Sequence, residues 1–305
     1  MKKWIIKAIV QKFISYLPNS NKINYLFQKY VTKGVILSDE YFTDRLGHGI
    51  QHINAHKQHK NFTFNSTLEI GTGWYPVVPV AMFLAGANKI VTVDITHLTN
   101  VNKVFTTLKM FVDYQKANKL PKEIIIIEER FKKIESLINN TQAYTLDQLL
   151  SELNISYLNC DARKLPFEKE SFDLIHSNNT FEHIYEPILE GILKEFKRVL
   201  KTGGLMSHFI DMSDHFAHAD HSITIYNYLK YTEQQWKRID NDVQPQNRMR
   251  ICQYRDLYKK LSINIIEENL RPGNIEEVKS TKLSQPFNQF KIEDVAVSHG
   301  YIVSA

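Results

Sequence analysis

Three stretches of this chain combine residue types and spacings that can do chemistry. The first is His208-Phe209-Ile210-Asp211-Met212-Ser213-Asp214-His215-Phe216-Ala217-His218-Ala219-Asp220-His221. An imidazole titrates near neutrality, which suits it to take a proton from an acceptor hydroxyl as a general base. His215, one short turn beyond Asp211, is the candidate base, with Asp211 as its partner. The same side-chain types ligate divalent metals. That reading is set below both the base and a plain polar loop over the cleft, so no residue is assigned to a metal. The second stretch carries His48, His52, His56 and His59 in steps of four, four and three, which places them on one helical face. Pairs at i, i+4 can bind a transition metal. No acid or cysteine accompanies them locally, so the expectation is a polar face turned to solvent or to a ligand cleft.

The third stretch is Leu68-Glu69-Ile70-Gly71-Thr72-Gly73-Trp74-Tyr75-Pro76. It reads as a buried strand, a glycine turn and a helix start, since Pro76 and Pro79 suit a helix's first turn. Gly71 and Gly73 permit positive φ and close approach of a ligand. Open α/β sheets bind ligands in the crevice beyond the carboxyl end of such a strand. A second strand, Lys89 to Asp94, ends in an acid about 20 residues past the glycines, the spacing at which a carboxylate meets ribose hydroxyls. A dinucleotide site would want glycine at position 76, where Pro76 stands. No strand is followed by a phosphate-loop pattern.

These residues need a scaffold of alternating strands and helices. Further strands are expected at Ile155 to Cys160, Phe172 to Ser177, Leu205 to Ile210, Ile263 to Leu270 and Gly300 to Ser304. Helices are expected at Asn21 to Lys60, Asn100 to Lys119, Pro121 to Asn139, Leu146 to Leu153, Pro187 to Leu200 and Tyr254 to Leu261. Ile124 to Ile127 would suit a strand by propensity, but Glu129 to Ile134 favours the helix. Lys201-Thr202-Gly203-Gly204 reads as a helix stop. The alternation predicts an α/β fold, a doubly wound, seven-stranded, mostly parallel sheet of Rossmann-like type. Residues 1–62 are expected to form an N-terminal helical cap, and 63–305 the main domain with helical insertions at 97–153 and 212–250.

The N-terminal Met1 to Ile14 reads as an amphipathic helix with Trp4, Ile5, Ala8, Ile9 and Phe13 on one side. Packing against its own domain or a second subunit, as in a homodimer, is favoured over peripheral membrane contact by a basic helix. Lys7 and Lys12 interrupt the apolar stretch, which argues against a signal peptide. No apolar run approaches the ~18 residues of a spanning helix. The chain of 305 residues is 43% hydrophobic and 23% charged, an ordinary globular composition with room for a large core. A net charge of +5, spread along the chain, does not require an anionic partner. Cys160 and Cys252 form no framework, which suits a reducing cytoplasm.

The motif order resembles the class I S-adenosylmethionine-dependent methyltransferases, especially the bacterial group that includes small-molecule and sugar methylases. The resemblance is carried by Glu69 to Gly73, Asp94, Cys160-Asp161-Ala162 with Leu165-Pro166-Phe167, Phe172 to Ile175, Glu182-His183-Ile184 and Leu200 to Gly204. It implies S-adenosylmethionine as cofactor, with Glu69, Gly71, Thr72 and Gly73 holding the methionine end. It further implies that Asp94 takes both ribose hydroxyls, Asp161 the adenine amino group with Ala162 beside the ring, and that Asn178 faces the methionine part. The loop often has a third glycine in this family, where this chain has Tyr75.

On the acceptor side, His183, Tyr226, Arg248 and Arg250 are the candidate substrate contacts, because aromatic faces and guanidinium groups suit a sugar or another polar acceptor. The function this predicts is methylation of an oxygen on a small polar metabolite or sugar, with base assistance. Two alternatives stand beside it: a nucleic-acid methylase, and a cofactor-binding protein without turnover. Ser177-Asn178-Asn179-Thr180-Phe181 lacks the Pro-Pro-aromatic segment of amino-methylating DNA enzymes, and no basic stripe appears, so no nucleic-acid partner is expected.

Overall fold

The computed structural model describes residues 2–18, 20, 23, 36–60, 63–122, 124, 126–140 and 143–305. Seven strands form one sheet: β1 (Ser66–Ile70), β2 (Lys89–Asp94), β3 (Ile155–Asn159), β4 (Phe172–Asn178), β5 (Leu200–Asp211), β6 (Ile265–Arg271) and β7 (His299–Ser304). Their order is β3-β2-β1-β4-β5-β7-β6. β1 runs parallel to β2 and β4, and β2 parallel to β3. The doubly wound, seven-stranded α/β sheet expected from the alternation is thus present.

The chain divides into two compact units, one of residues 36–178, 191–208 and 303–305, the other of 1–35, 179–190 and 209–302. This differs from the expected division at residue 62. The helix α2 (Asp39–His59) belongs with the sheet, whereas α1 (Lys3–Ser15) belongs with the later segments. The expected helix over Asn21 to Lys60 is seen from Asp39 onward, and its earlier part lies largely outside the described residues.

In the sheet unit all five residues of β1 are buried, as are all eight of α3 (Val77–Leu84). A strand buried on both faces reads as a continuous apolar run, which is why Leu68 and Ile70 identified it. The Asp173 carboxylate fixes the starts of β1 and β4 by accepting from the Asn65 and Ser66 N–H groups and from Lys201 Nζ at 2.9 Å. Ser38 caps α2 by accepting from the Tyr41 N–H. Gly49 of α2 packs against α3, where an added Cβ would make ordinary contact at 3.4 Å with Ala81 Cβ. The insertion forms α4 (Val101–Lys116), α5 (Glu128–Asn139) and α6 (Leu146–Ser151). α5 starts seven residues later than expected. Ile127 gives its N–H to the Leu84 carbonyl at the end of α3, which anchors the chain just before the helix begins. Arg130 then donates to the Phe83 carbonyl near the end of α3 and to the Ala87 carbonyl just beyond it. The expected stop at Lys201 to Gly204 is also replaced: α7 (Glu186–Val199) runs directly into β5.

In the other unit, Trp4 and Ala8 of α1 pack into an aromatic cluster with Phe216, Tyr228 and Trp236. Trp236 lies on α8 (Glu233–Ile239), and Lys12 donates to the Lys237 and Asp240 carbonyls at that helix's end. The buried face of α1 is Trp4, Ala8, Gln11 and Ile14 rather than the expected one, with Ile9 and Phe13 55% and 64% exposed. Further along lie α9 (Ile251–Lys260), α10 (Ile275–Ser280) and α11 (Ile292–Ala296). Among the described residues, no helix is long and apolar enough to cross a membrane.

Candidate functional site

The carboxyl ends of β1, β2 and β4 bring together most of the expected cofactor residues. The register pairs Ile70 with Val93 and with Ser177, so the glycine loop, Asp94 and Asn178 emerge on one edge of the sheet. Gly71 and Gly73 have φ of 81° and 66°, in the left-handed region that favours glycine. A Cβ on Gly73 would meet nothing within 4 Å, so the loop faces open space. Tyr75, which takes the place of a third glycine, turns its ring edge-on toward Tyr41 of α2 at 6.2 Å. Beside it, Lys103 Nζ lies 4.1 Å above the Trp74 ring.

Asp94 is held by the loop it faces. Its Oδ2 accepts from the Gly73 N–H at 3.1 Å and its Oδ1 from the Thr96 N–H at 3.0 Å. Burial pushes its carboxyl up, against those backbone donors. Each oxygen keeps a second lone pair, so two ribose hydroxyls could be met without breaking either bond. Glu69 is more deeply enclosed. Burial raises its carboxyl to about 8, against the Thr92 hydroxyl that donates to it at 2.9 Å, so it carries a proton at neutral pH. Thr72 in turn hydrogen-bonds Thr92.

Asn178 is positioned by a histidine of α2. His52 Nε2 donates to Asn178 Oδ1 at 2.8 Å, and Ser207 Oγ donates to His52 Nδ1 at 2.7 Å. The Asn178 side chain also favours the ionised Glu69 carboxyl, against its burial. His48, His52 and His56 are all buried, so this face of α2 is an interior seam rather than a solvent-facing one. Burial holds His52 down to about 3 and His56 to about 4, and pushes His176 and His208 well below the usual imidazole range. All four are neutral. The i, i+4 spacing was the available signal for His52, but it names a face and not a partner.

Beyond β3 the fit is looser. Ala162 is buried, but the Asp161 carboxylate is forked onto Arg163, with Nε–Oδ2 at 2.9 Å and Nη2–Oδ2 at 2.6 Å. An adenine amino group would have to share that carboxylate.

The acceptor-side candidates lie in the other unit. His215 Nε2 stands 3.3 Å from Asp211 Oδ2, and His299 Nε2 stands 3.2 Å from Asp211 Oδ1. Burial alone would raise Asp211, but the two imidazoles outweigh it and hold the carboxyl well below its usual range. His183 and His215 rings lie 5.0 Å apart. The remaining three expected substrate contacts are internal braces. Tyr226 is fully buried and donates to the Ala296 carbonyl at 2.8 Å. Arg248 donates to the Tyr228 and Tyr231 carbonyls and to Glu233. Arg250 donates to the Met212, Val295 and Val297 carbonyls and to the Tyr228 hydroxyl. A guanidinium satisfied by carbonyls in the interior has little left for a ligand, so Tyr226, Arg248 and Arg250 leave the acceptor set.

Residues 128–207 match the family model of a methyltransferase domain. That stretch carries the signature of a methyltransferase domain. The matched segment runs from α5 into β5 and contains Asp161, Ala162 and Asn178, while the glycine loop and Asp94 lie before it. Among curated proteins the chain is similar to a sterol 24-C-methyltransferase of Candida albicans, 34% identical over 83 residues, which is 27% of this chain and 20% of that protein. The chain therefore matches about a fifth of that relative's length. Solved structures with a similar course include a geranyl diphosphate methyltransferase in complex with GPP and sinefungin. It has a TM-score of 0.46 and 10% identity, covering 86% of this chain and 76% of that one. A candidate methyltransferase from Bacillus halodurans C-125 has a TM-score of 0.42 and 14% identity, covering 83% and 95%.

Proposed function

We propose that this protein transfers a methyl group from S-adenosylmethionine to an oxygen of a small polar or sugar acceptor. The observation that carries the reading is the convergence of the glycine loop, Asp94 and Asn178 on one edge of the sheet, with open space before Gly73. These residues fit the cofactor: Gly71 to Gly73, Glu69 and Asn178 would hold its amino-acid end, and Asp94 its ribose. When bound, the cofactor supplies an electrophilic methyl on a sulfonium. The neutral His52–Asn178 pair adds no fixed charge beside it. Asp211, close to His215, orients that imidazole to take the acceptor's proton.

Calorimetry with S-adenosylmethionine and its demethylated product tests the first half, and absence of binding overturns the reading. A panel of sugars, small hydroxylated metabolites, oligonucleotides, a sterol and a prenyl diphosphate tests the second. Transfer to a sterol, a prenyl diphosphate or an oligonucleotide alone would replace the acceptor class, and binding without any transfer would leave a cofactor-binding protein. With the true acceptor, His215→Ala should lower turnover by roughly 10²-fold or more, with cofactor affinity retained.

A further inference from the structure

Among the described residues, one group of acid and imidazole side chains brings its ligand atoms within 4.8 Å of one another: Glu182, His183 and His215. We propose that these three residues form a binding site for a divalent first-row transition-metal ion. Two imidazoles and a carboxylate are the donor set of zinc, manganese, iron, cobalt or nickel, whereas magnesium and calcium prefer oxygen alone. Three protein ligands leave positions open for water or a substrate oxygen. At metal–ligand bonds of about 2.0–2.2 Å, adjacent ligand atoms stand roughly 3 to 3.5 Å apart, so small side-chain rotations close the site.

The second observation is the support behind the ligands. His183 Nδ1 donates to the Pro245 carbonyl at 2.6 Å, which leaves the ring's lone pair on Nε2. Asn247 clamps the turn that carries Glu182 and His183. Its Nδ2 donates to the Phe181 and Ile184 carbonyls at 2.7 Å each, and its N–H to the Glu182 carbonyl at 2.9 Å. Between them, Gln246 accepts from the His215 N–H at 3.2 Å and donates to the Ser213 carbonyl at 3.0 Å. Gln246 is itself fixed by Trp236 and Asp240. Three successive residues thus hold both ligand-bearing turns, with the outer hydrogen bond that orients a metal-binding imidazole. Asp211 beside His215 supplies a second carboxylate, which balances the ion's two charges.

Binding of the ion does not depend on the acceptor proposed above, but its use in turnover does. The ion would draw an acceptor oxygen into an open position, and the proton-accepting role of His215 then belongs to the ion-free protein. The test is titration of the chelator-stripped full chain with cobalt(II), without cofactor, read by visible absorption and by metal content. One ion per chain is expected, with His183→Ala and Glu182→Gln weakening it at least about 10-fold and His221→Ala leaving it unchanged. No saturable binding up to about 1 mM, or equal binding by the two ligand variants, overturns the site. Should those variants not fold, anomalous diffraction from wild-type crystals grown with cobalt decides it, by showing the ion between these three side chains or elsewhere. Cofactor calorimetry on the same samples reads the functional proposal separately.

Discussion

His52 Nε2 lies 2.8 Å from Asn178 Oδ1, which joins the middle of α2 to the last residue of β4. The amide can then present its N–H groups only one way round. His52→Ala would leave Asn178 and Ser207 without this partner in the interior, at a cost of about 1–3 kcal/mol. We expect a lower melting temperature together with a cofactor affinity about 10-fold weaker. Differential scanning calorimetry and titration calorimetry on the same variant check the two. Unchanged affinity in a destabilised variant would reduce His52 to a packing residue.

Asp94 tests the other side of the loop. Asp94→Ala removes the acceptor for the Gly73 and Thr96 N–H groups as well as the proposed ribose contact. Charged hydrogen bonds contribute about 1.5–3 kcal/mol each, so cofactor binding should weaken by at least roughly 10-fold. Asp94→Asn keeps one acceptor oxygen and should fall between. Titration calorimetry gives both values.

Buried titratable groups set the response of stability to pH. Burial depresses His52 to about 3 and His56 to about 4, from 6.5. Such an imidazole takes its proton only on unfolding, so its contribution is complete above 6.5 and is lost as pH falls through 4 and 3. His176 and His208 act in the same direction. Glu69, raised from 4.5 to about 8, acts oppositely: its contribution is complete below 4.5 and is lost as pH rises through 8. Just below 6.5 the imidazoles outnumber this carboxyl, so stability should fall on acidification by at least on the order of 1.4 kcal/mol per pH unit. Urea unfolding across a pH series checks the slope. His52→Gln should flatten the acid limb, and Glu69→Gln the alkaline one.

Arg250 is fully buried and donates to three carbonyls and a tyrosine hydroxyl. Arg250→Met fills similar volume but abandons those acceptors, each left buried at a cost of about 1–3 kcal/mol, so a clear loss of stability is expected. A drop in the urea midpoint measures it. A change smaller than about 1 kcal/mol would show that the carbonyls find other donors.

How far the sequence discloses these features depends on whether a partner is local. The strand ends at Glu69, Asp94 and Asn178 were legible, because burial and alternation mark a strand and the loop follows it directly. Arg248 and Arg250 misled, since a guanidinium looks the same in sequence whether it meets a ligand or backbone carbonyls. Tyr75 could not be placed until α2 brought Tyr41 against it. Glu182 was read only as part of a motif, because the imidazole it approaches, His215, lies 33 residues further along the chain. The histidines of α2 were read by face, but burial rather than polarity decides what that face does.

Pro245, Gln246 and Asn247 reach the turn before α7 and the turn after β5 at once. The two turns therefore share one mounting. A backbone shift in this tripeptide would carry Glu182, His183 and His215 together and preserve their spacing. Substitutions around it could then relocate the cluster as a unit, while a substitution within it that freed one turn would spoil the spacing outright.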